Sequence, residues 1–544
     1  VSEPQTLPTG WVQTTLGEIA DIERGITFPA SAKSTSNQDG LIPCLRTTNI
    51  QNTVEWDDML FVPQAFMKDN ERKLIQNMDI LMSVANSREL VGKVALVVDI
   101  PYNAVTLGGF ISAIRAIVID NAKYLYYFLR FRDTKAELKK HASQTVNIAN
   151  LSMESVAHLP LPLPPLAEQR RIVAAIEQQF TRLDAGIASL RQAQTRLKRY
   201  RAAVLKAAVE GHLTAAWRSE HPDTEPAATL LARILTERRT RWEGEQRAKG
   251  KDPAKLTYDE PARPDTATLP ALPEGWTWTI LDAIADIIDP NPSHRMPFYP
   301  EEGVPFISSE NFINGDLINL SMGKRVDNRV WEEQRTRFTI EEGDFVLSRI
   351  GTIGKTRFLP TNAKYCLSHA LVVIKTRSGL INKRFLRQTV ASDTILSQAK
   401  DGVQSVGVPD LGMGKIRSFL LPLPPLAEQE QIVTEVERRL SVVSEVEAEV
   451  LANLKRAERL RQSILREAFA GRLVAQDPAD ESASVLLERI RAERSARDNN
   501  GGRSRRKADT APQPTTTRPD SDTQVERMPQ DVRQMTLLES LSQE

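Results

Sequence analysis

Nine residues, LPLPPLAEQ, occupy Leu161 to Gln169 and recur letter for letter at Leu421 to Gln429, 260 residues further on. A repeat of that length does not arise by chance, so the chain is one plan written twice. The same offset carries Val204, Leu205, Gly211 and Leu213 onto Ile464, Leu465, Gly471 and Leu473. Upstream, LPTGWVQTTLGEIADI (Leu7 to Ile22) matches LPEGWTWTILDAIADI (Leu272 to Ile287). Downstream, EPAATLLARILTER (Glu225 to Arg238) matches ESASVLLERIRAER (Glu481 to Arg494). Each copy therefore reads as a globule, a long helix and a short helix.

The two globules differ at most positions between their matched ends but keep a few landmarks. PCLRTTNI (Pro43 to Ile50) parallels PFISSENF (Pro305 to Phe312), and DILMS (Asp79 to Ser83) parallels DFVLS (Asp344 to Ser348). A Gly-Lys pair follows each, at Gly92-Lys93 and Gly354-Lys355. Short β-branched runs such as VGKVALVVDI and CLSHALVVIK, bounded by Gly, Pro and Asn, read as strands. Each globule is a mixed α/β domain with a common scaffold and its own surface.

After the prolines of the repeated motif comes a stretch of about 47 residues, Leu166 to His212, with no proline and two glycines, which predicts one long helix. Its apolar register is Val173, Ile176, Phe180, Leu183, Ile187, Leu190, Leu197 and Val204, broken at Gln194 and Arg201. The second copy gives Val433, Val436, Leu440, Val443, Val450, Leu454, Ala457 and Ile464, broken at Glu447 and Arg461. Alternating three-four spacing is the mark of a coiled-coil seam. At ~1.5 Å per residue each helix spans about 70 Å, and the globule between them must bring the chain back, so the pair is antiparallel. From Leu166 to Ala216 there are nine Lys or Arg against four Asp or Glu, and from Leu426 to Ala470 seven against nine, a balance that favours pairing one helix with the other. A four-helix-bundle core is the competing reading, and helices longer than the ~10–14 residues usual in globular domains count against it. The expected fold class is α+β: two similar mixed domains separated by two long helices in an antiparallel coiled coil, with a pseudo-twofold internal repeat.

The 544 residues exceed one ordinary core, and 41% apolar with 26% charged residues is a globular composition. Cys44 and Cys366, the two cysteines, stand in distant segments and support neither a zinc quartet nor a disulfide framework. No apolar run reaches ~18 residues and the N-terminal stretch has no signal-peptide pattern, so a cytoplasmic protein is expected. A net charge of +1 requires any nucleic-acid binding to come from local patches.

Catalytic patterns fall short. Gly351-Thr-Ile-Gly354-Lys355-Thr356 imitates a phosphate-binding loop, but its first glycine would fall at Arg349 and no helix follows. Asp58, Glu71 and Lys73 have the types found in nuclease metal sites, on flanks that look like solvated surface. Asp289-Pro-Asn-Pro292 lacks the aromatic of an amino-methylating loop and reads as a turn. The six His are scattered and the GMG at Gly412 to Gly414 stands alone. No catalytic residue and no metal site is assigned; the chain is expected to bind and position.

LPxGW before a variable globule, LPLPPLAEQ before a long helix, and the whole repeated once resemble the specificity subunit of type I restriction-modification enzymes, over residues 7 to 495. The resemblance implies two target recognition domains, each reading one half of a split, asymmetric DNA site, with the helices fixing the gap. It implies a noncatalytic subunit that recruits two modification subunits, which methylate adenine with S-adenosylmethionine, and two restriction subunits, which use ATP and Mg. The cofactors then belong to partners, and none to this chain. The implied boundaries are 1–160 and 272–420 for the recognition domains, 161–216 and 421–475 for the long helices, 217–271 for a short helix with an extended linker, 476–497 for the second short helix, and 498–544 for a disordered tail. Arg503, Arg505, Arg506 and Lys507 in that tail could touch phosphate, and Met535, Leu537, Leu538 and Leu541 could form a docking helix.

Base edges are read by Arg or Lys on guanine, Asn or Gln on adenine, and Ser or Thr as adaptable partners. Candidates in the first domain are Arg46, Thr47, Thr48 and Asn49; Asn86, Ser87, Arg88 and Lys93; and Ser143, Gln144 and Asn147. In the second they are Ser308, Ser309, Glu310 and Asn311; Arg349, Thr352 and Lys355; and Gln404 and Ser405. Two other classes stay open: a coiled-coil scaffold joining two protein-binding domains, and a self-sufficient DNA-modifying enzyme.

Overall fold

The structure, a computed structural model, describes residues 7–68, 70–144, 148–293, 296–313, 316–376, 379–400, 403–404 and 409–508. It divides into two compact units: residues up to 179 together with those from 462 onward, and residues 180–461.

In the first unit, Val12–Thr15 pairs antiparallel with Pro160–Leu163, so the two signature segments meet. The Pro-Thr-Gly-Trp turn needs a glycine because Gly10 sits at φ 81°, and it is closed by Trp11 N donating to Pro8 O at 3.1 Å. The turn aims Trp11 at the start of the long helix, where its Nε1 donates to Glu168 at 3.0 Å. Gln169 Nε2 donates to Pro164 O at 2.9 Å and fixes the helix entry. The repeated motif is thus the joint between globule and helix.

Ala20–Arg24, Ile111–Ala116, Ile80–Ser83 and Val94–Leu96 form a four-stranded antiparallel sheet in that order. A second sheet orders Leu60–Pro63, Leu41–Leu45 and Thr106–Leu107, the last two parallel. Leu45, Leu81, Leu107, Ile111 and Ala113 belong to one core cluster that joins the two sheets. Central strands covered on both faces need unbroken apolar runs, and Ile80–Ser83 is buried throughout. Asp79, also buried, is held by Arg115 at 2.7 Å. On the helix Ala122–Arg130, Tyr124 and Phe128 pack edge-on against Phe469, at 5.5 and 5.4 Å between ring centroids. The end of the distal long helix therefore belongs to the first globule.

The second unit repeats the plan. Thr277–Ile280 pairs with Leu420–Leu423, and Trp276 donates to Glu428 at 2.8 Å. The larger sheet runs Asp286–Ile288, Leu371–Lys375, Phe345–Ser348, Thr356–Phe358. The smaller runs Arg325–Val326, Val304–Ile307, Cys366–Leu367, again with one parallel pair. Lys375 replaces Arg115 and meets Asp344 at 3.2 Å. Val204 and Ala208, at the end of the central long helix, pack with Trp276, Phe385 and Val436.

The long helices run Leu166–Val209 and Leu426–Phe469, and they pack together. Within the second unit Arg201 pairs with Glu447 at 3.1 Å, and Arg461 pairs with Asp184 while its guanidinium lies 4.7 Å from the Phe180 ring centroid. The contacts 180/184 to 461 and 201 to 447 run in opposite directions along the two sequences, which makes the pair antiparallel. Val433, Val436, Val443, Val450 and Ile464 are buried, as are Val173, Ile176, Phe180 and Val204, while Leu183, Ile187, Leu190, Leu197, Leu440 and Leu454 are half-buried. A two-helix seam shields its residues from one side only, so partial burial is what the spacing requires.

The short helices repeat too. Arg238 on Ala227–Ala248 donates to Asp282 O, and Arg494 on Ala483–Ala508 donates to Gly17 O and pairs with Asp21 at 2.9 Å. The second short helix continues past Arg497, so residues 498–508 are helical where composition starts the tail. Propagation costs little once Leu486, Leu487 and Ile490 have anchored the first turns. Met535, Leu537, Leu538 and Leu541 lie outside the described residues.

Candidate nucleic-acid interface

In the first globule the strand Leu41–Leu45 runs into a tight turn, Thr47–Asn49. Asn49 makes that turn: Oδ1 accepts from Arg46 N at 2.8 Å, and Nδ2 donates to Glu55 O and Asp57 O at 3.0 Å each. Asn311 does the same in the second globule, accepting from Ser308 N at 2.9 Å and donating to Asn319 O at 3.1 Å and Met322 O at 2.8 Å. Both are buried with both amide protons used. They therefore build the loop, their amides taken up by its own backbone, a correction to their place among the base readers. Thr48 and Glu310 are exposed, and Thr47, Ser308 and Ser309 half-buried. Arg46 is pinned by Asp58, through the carboxylate and by Nη2 donating to Asp58 O at 2.8 Å.

The next two groups of candidates come together in one ribbon. Ala85–Asn86 pairs with Ala149–Asn150, which pairs with Ser143–Gln144. Arg88 and Ser143 are exposed and Ser87 half-buried. Asn86 is engaged locally, its Nδ2 donating to Ser83 Oγ at 3.2 Å and its Oδ1 accepting from Ser87 N at 2.8 Å. Lys93 donates to Gln51, whose Nε2 donates to Thr48 O at 2.8 Å. Asn147 lies outside the described residues. In the second globule Ile350 bridges to Asp410, and Asp410–Leu411 pairs with Val403–Gln404, which carries the Gln404 candidate; Ser405 lies outside the described residues.

Arg349 is a correction. It is 2% exposed, with Nε donating to His369 O at 2.9 Å and the guanidinium 3.4 Å from both Asp289 and Asp410. A guanidinium held by two carboxylates and a carbonyl ties the ribbon to the Asp289 turn and offers no edge to a base. The same turn accounts for the Asp-Pro-Asn-Pro segment, where Asp289 Oδ1 accepts from Asn291 N at 2.9 Å. Gly351 to Lys355 form the turn of a hairpin, with Gly351 at φ 72° and Gly354 at φ 93°, and a strand follows. Thr352 and Lys355 are exposed; Lys355 opens onto a cleft shared with Lys198 and Arg201 of the central helix. Asp58 is taken by Arg46, and Lys73 by Arg24 O at 2.7 Å and Glu23 at 3.5 Å, so these side chains serve separate contacts.

Burial pushes the thiols of Cys44 and Cys366 up to about 12, which leaves both as inert core side chains. Among the described residues no helix is long and apolar enough to cross a membrane.

Each unit carries loops and a short ribbon built on one scaffold with different side chains. The family model for the type I restriction modification DNA specificity domain matches residues 8–194 and 273–456. The chain belongs to this family. The two matched copies begin at the two LPxGW turns and run through each globule into its long helix. The type I restriction enzyme StySPI specificity subunit of Salmonella potsdam is 26% identical over 522 residues, covering 92% of this chain and 99% of that protein. The EcoKI specificity subunit of Escherichia coli (strain K12) is 26% identical over 513 residues, covering 90% and 97%. The HsdS subunit from Thermoanaerobacter tengcongensis has a solved structure that aligns with a TM-score of 0.40 and 19% identity over 86% of this chain and 99% of that one. As a type I specificity subunit the chain is a noncatalytic component that recognises a DNA target.

The specificity domains also contain residues on these faces that sequence reasoning passed over. Phe110, on the loop Gly108-Gly109-Phe110, accepts from Val84 N at 2.9 Å and so joins the ribbon to the Arg46–Thr48 turn, with which it shares a cavity that Arg24, Thr27 and Lys33 also line. The one signal in the sequence is a Gly-Gly pair before an apolar residue between two strands.

Proposed function

We propose that each globule reads one half of a bipartite, asymmetric DNA site, and that the paired helices set the gap between the halves and bind two modification subunits. The reading is carried by the duplication of one scaffold with unlike side chains at equivalent loop positions: Arg46, Thr47 and Thr48 against Ser308, Ser309 and Glu310. Shared backbone geometry positions both domains alike on the duplex, and the differing side chains supply two different targets. Two readers on one chain suit a target of two segments, each read in its own stretch of major groove. S-adenosylmethionine, ATP and Mg act on the modification and the two restriction subunits, and the complex works in the cytoplasm.

The test is a domain exchange. The chain is assembled with its modification subunits, and residues 272–420 are replaced by the corresponding segment of a relative. Methylation sequencing should show one half of the modified motif changed and the other kept. A motif altered in both halves, or in neither, overturns the proposal.

A further inference from the structure

The loop that follows the parallel strand is the same in both globules as backbone and different as chemistry. In the first, Gly108 N donates to Leu45 O at 3.0 Å and Val84 N to Phe110 O at 2.9 Å. In the second, Ser368 N donates to Ile307 O at 2.9 Å and Arg349 N to Ala370 O at 2.9 Å. Phe110 therefore stands where Ala370 stands.

The first loop is pressed against the segment Gly25 to Thr27. A Cβ on Gly25 would lie 2.3 Å from Gly108 O, and one on Gly109 would lie 3.0 Å from Thr27 Oγ1 and 3.3 Å from Ile26 O. Arg24 Nε, next to that segment, donates to Gly109 O at 3.0 Å and ties the loop to it. At its tip Phe110 is 62% exposed. The ring forms one wall of a cavity of about 590 Å³ that Phe28, Thr47 and Thr48 line with it, and whose margin carries Arg24 and Lys33. A large apolar ring stands in the open on an anchored loop, beside cations, on the face proposed for DNA.

In the major groove the base edges present donors and acceptors, and the apolar group among them is the C5 methyl of thymine. Apolar contact with that methyl is the one use a base edge has for a phenyl ring and threonine methyls, while the flanking cations suit the phosphates on either side. Resting on the DNA-reading proposal above, we propose that Phe110, with the threonine-lined wall behind it, recognises the C5 methyl of one thymine in the half-site of the first domain. Ala370 presents no such ring, so the second half-site lacks this contact.

The experiment uses the chain assembled with its modification subunits and a duplex carrying the motif defined by methylation sequencing. Each thymine of the first half-site is replaced in turn by deoxyuridine, which removes the methyl and nothing else. One position should cost the parent complex about three- to tenfold in affinity, the scale of one buried methyl group. Phe110→Ala should lose a similar factor on the thymine duplex, become indifferent to deoxyuridine there, and keep the parent's melting temperature, since the ring is exposed. Phe110→Leu, which retains apolar contact, should recover part of the discrimination. Tolerance of deoxyuridine at every position, a half-site without thymine, or a Phe110→Ala complex still sensitive to the methyl overturns the proposal. A parent complex that binds its motif no better than random duplex instead overturns the DNA-reading proposal on which it rests.

Discussion

Arg201 and Glu447 meet at 3.1 Å, each at a seam position of its own helix where an apolar residue would otherwise stand. The charged breaks in the two seams answer one another, and Arg461, at another such position, is answered by Asp184 and Phe180. Polar residues at seam positions fix register at some cost in stability.

Reversing one member of that pair places like charges together. Arg201→Glu and Glu447→Arg should each destabilise the chain, and the double exchange should recover part of the loss. Both side chains are partly exposed, so a coupling of about 0.5–1 kcal/mol is expected from a urea-unfolding cycle. Additive single effects would mean that the pair does not define the register.

The two joints should respond differently to loss of a carboxylate. Glu428 accepts from Trp276 at 2.8 Å, Thr214 at 2.7 Å and Arg218 at 2.7 Å. Glu168 accepts from Trp11, and its Oε1 is buried with no hydrogen-bond partner. Glu428→Gln leaves the half-buried Arg218 without its charge partner and should cost about 1.5–3 kcal/mol. Glu168→Gln should cost far less in the same assay.

Burial holds the Glu168 carboxyl above its ordinary value of 4.5, against the opposing pull of the Trp11 hydrogen bond. A carboxyl raised in the folded state contributes stability that is full below the unfolded value and is lost as pH rises through the folded one. Relative to Glu168→Gln, the parent should therefore lose stability from pH 4.5 toward neutrality. Urea midpoints measured across that range check the sign, and a difference that runs the other way would refute it.

Arg349→Ala should destabilise the second globule by about 3 kcal/mol, because it strips a buried cation from Asp289 and Asp410. Thermal unfolding and proteolysis of the second unit are the readouts. A variant of parental stability that had lost selectivity at one half-site would return Arg349 to the base readers.

Four residues added at Gln194, with four at the facing turn of the distal helix, would lengthen the pair by about 6 Å. If the helices are the ruler, the methylated motif should gain one or two base pairs of gap, at about 3.4 Å each. An unchanged gap removes the spacer role.

The sequence by itself determined the duplication, the two long helices and their seams, and the LPxGW and LPLPPLAEQ segments that mark each copy. These are periodicities and short motifs, in which each residue's task depends on neighbours a few positions away. Only the tertiary structure decided which polar loop residues remain available to a ligand. Asn49 and Asn311 look like readers and are consumed by carbonyls of their own loops, while Arg349 is consumed by carboxylates 60 residues before it and 61 after. Phe110 looks like core and stands exposed, because Gly25, Gly108 and Gly109 let two backbones press together beneath it. A buried polar group must be satisfied wherever the fold brings a partner, and that partner's distance along the chain leaves no mark on the local pattern.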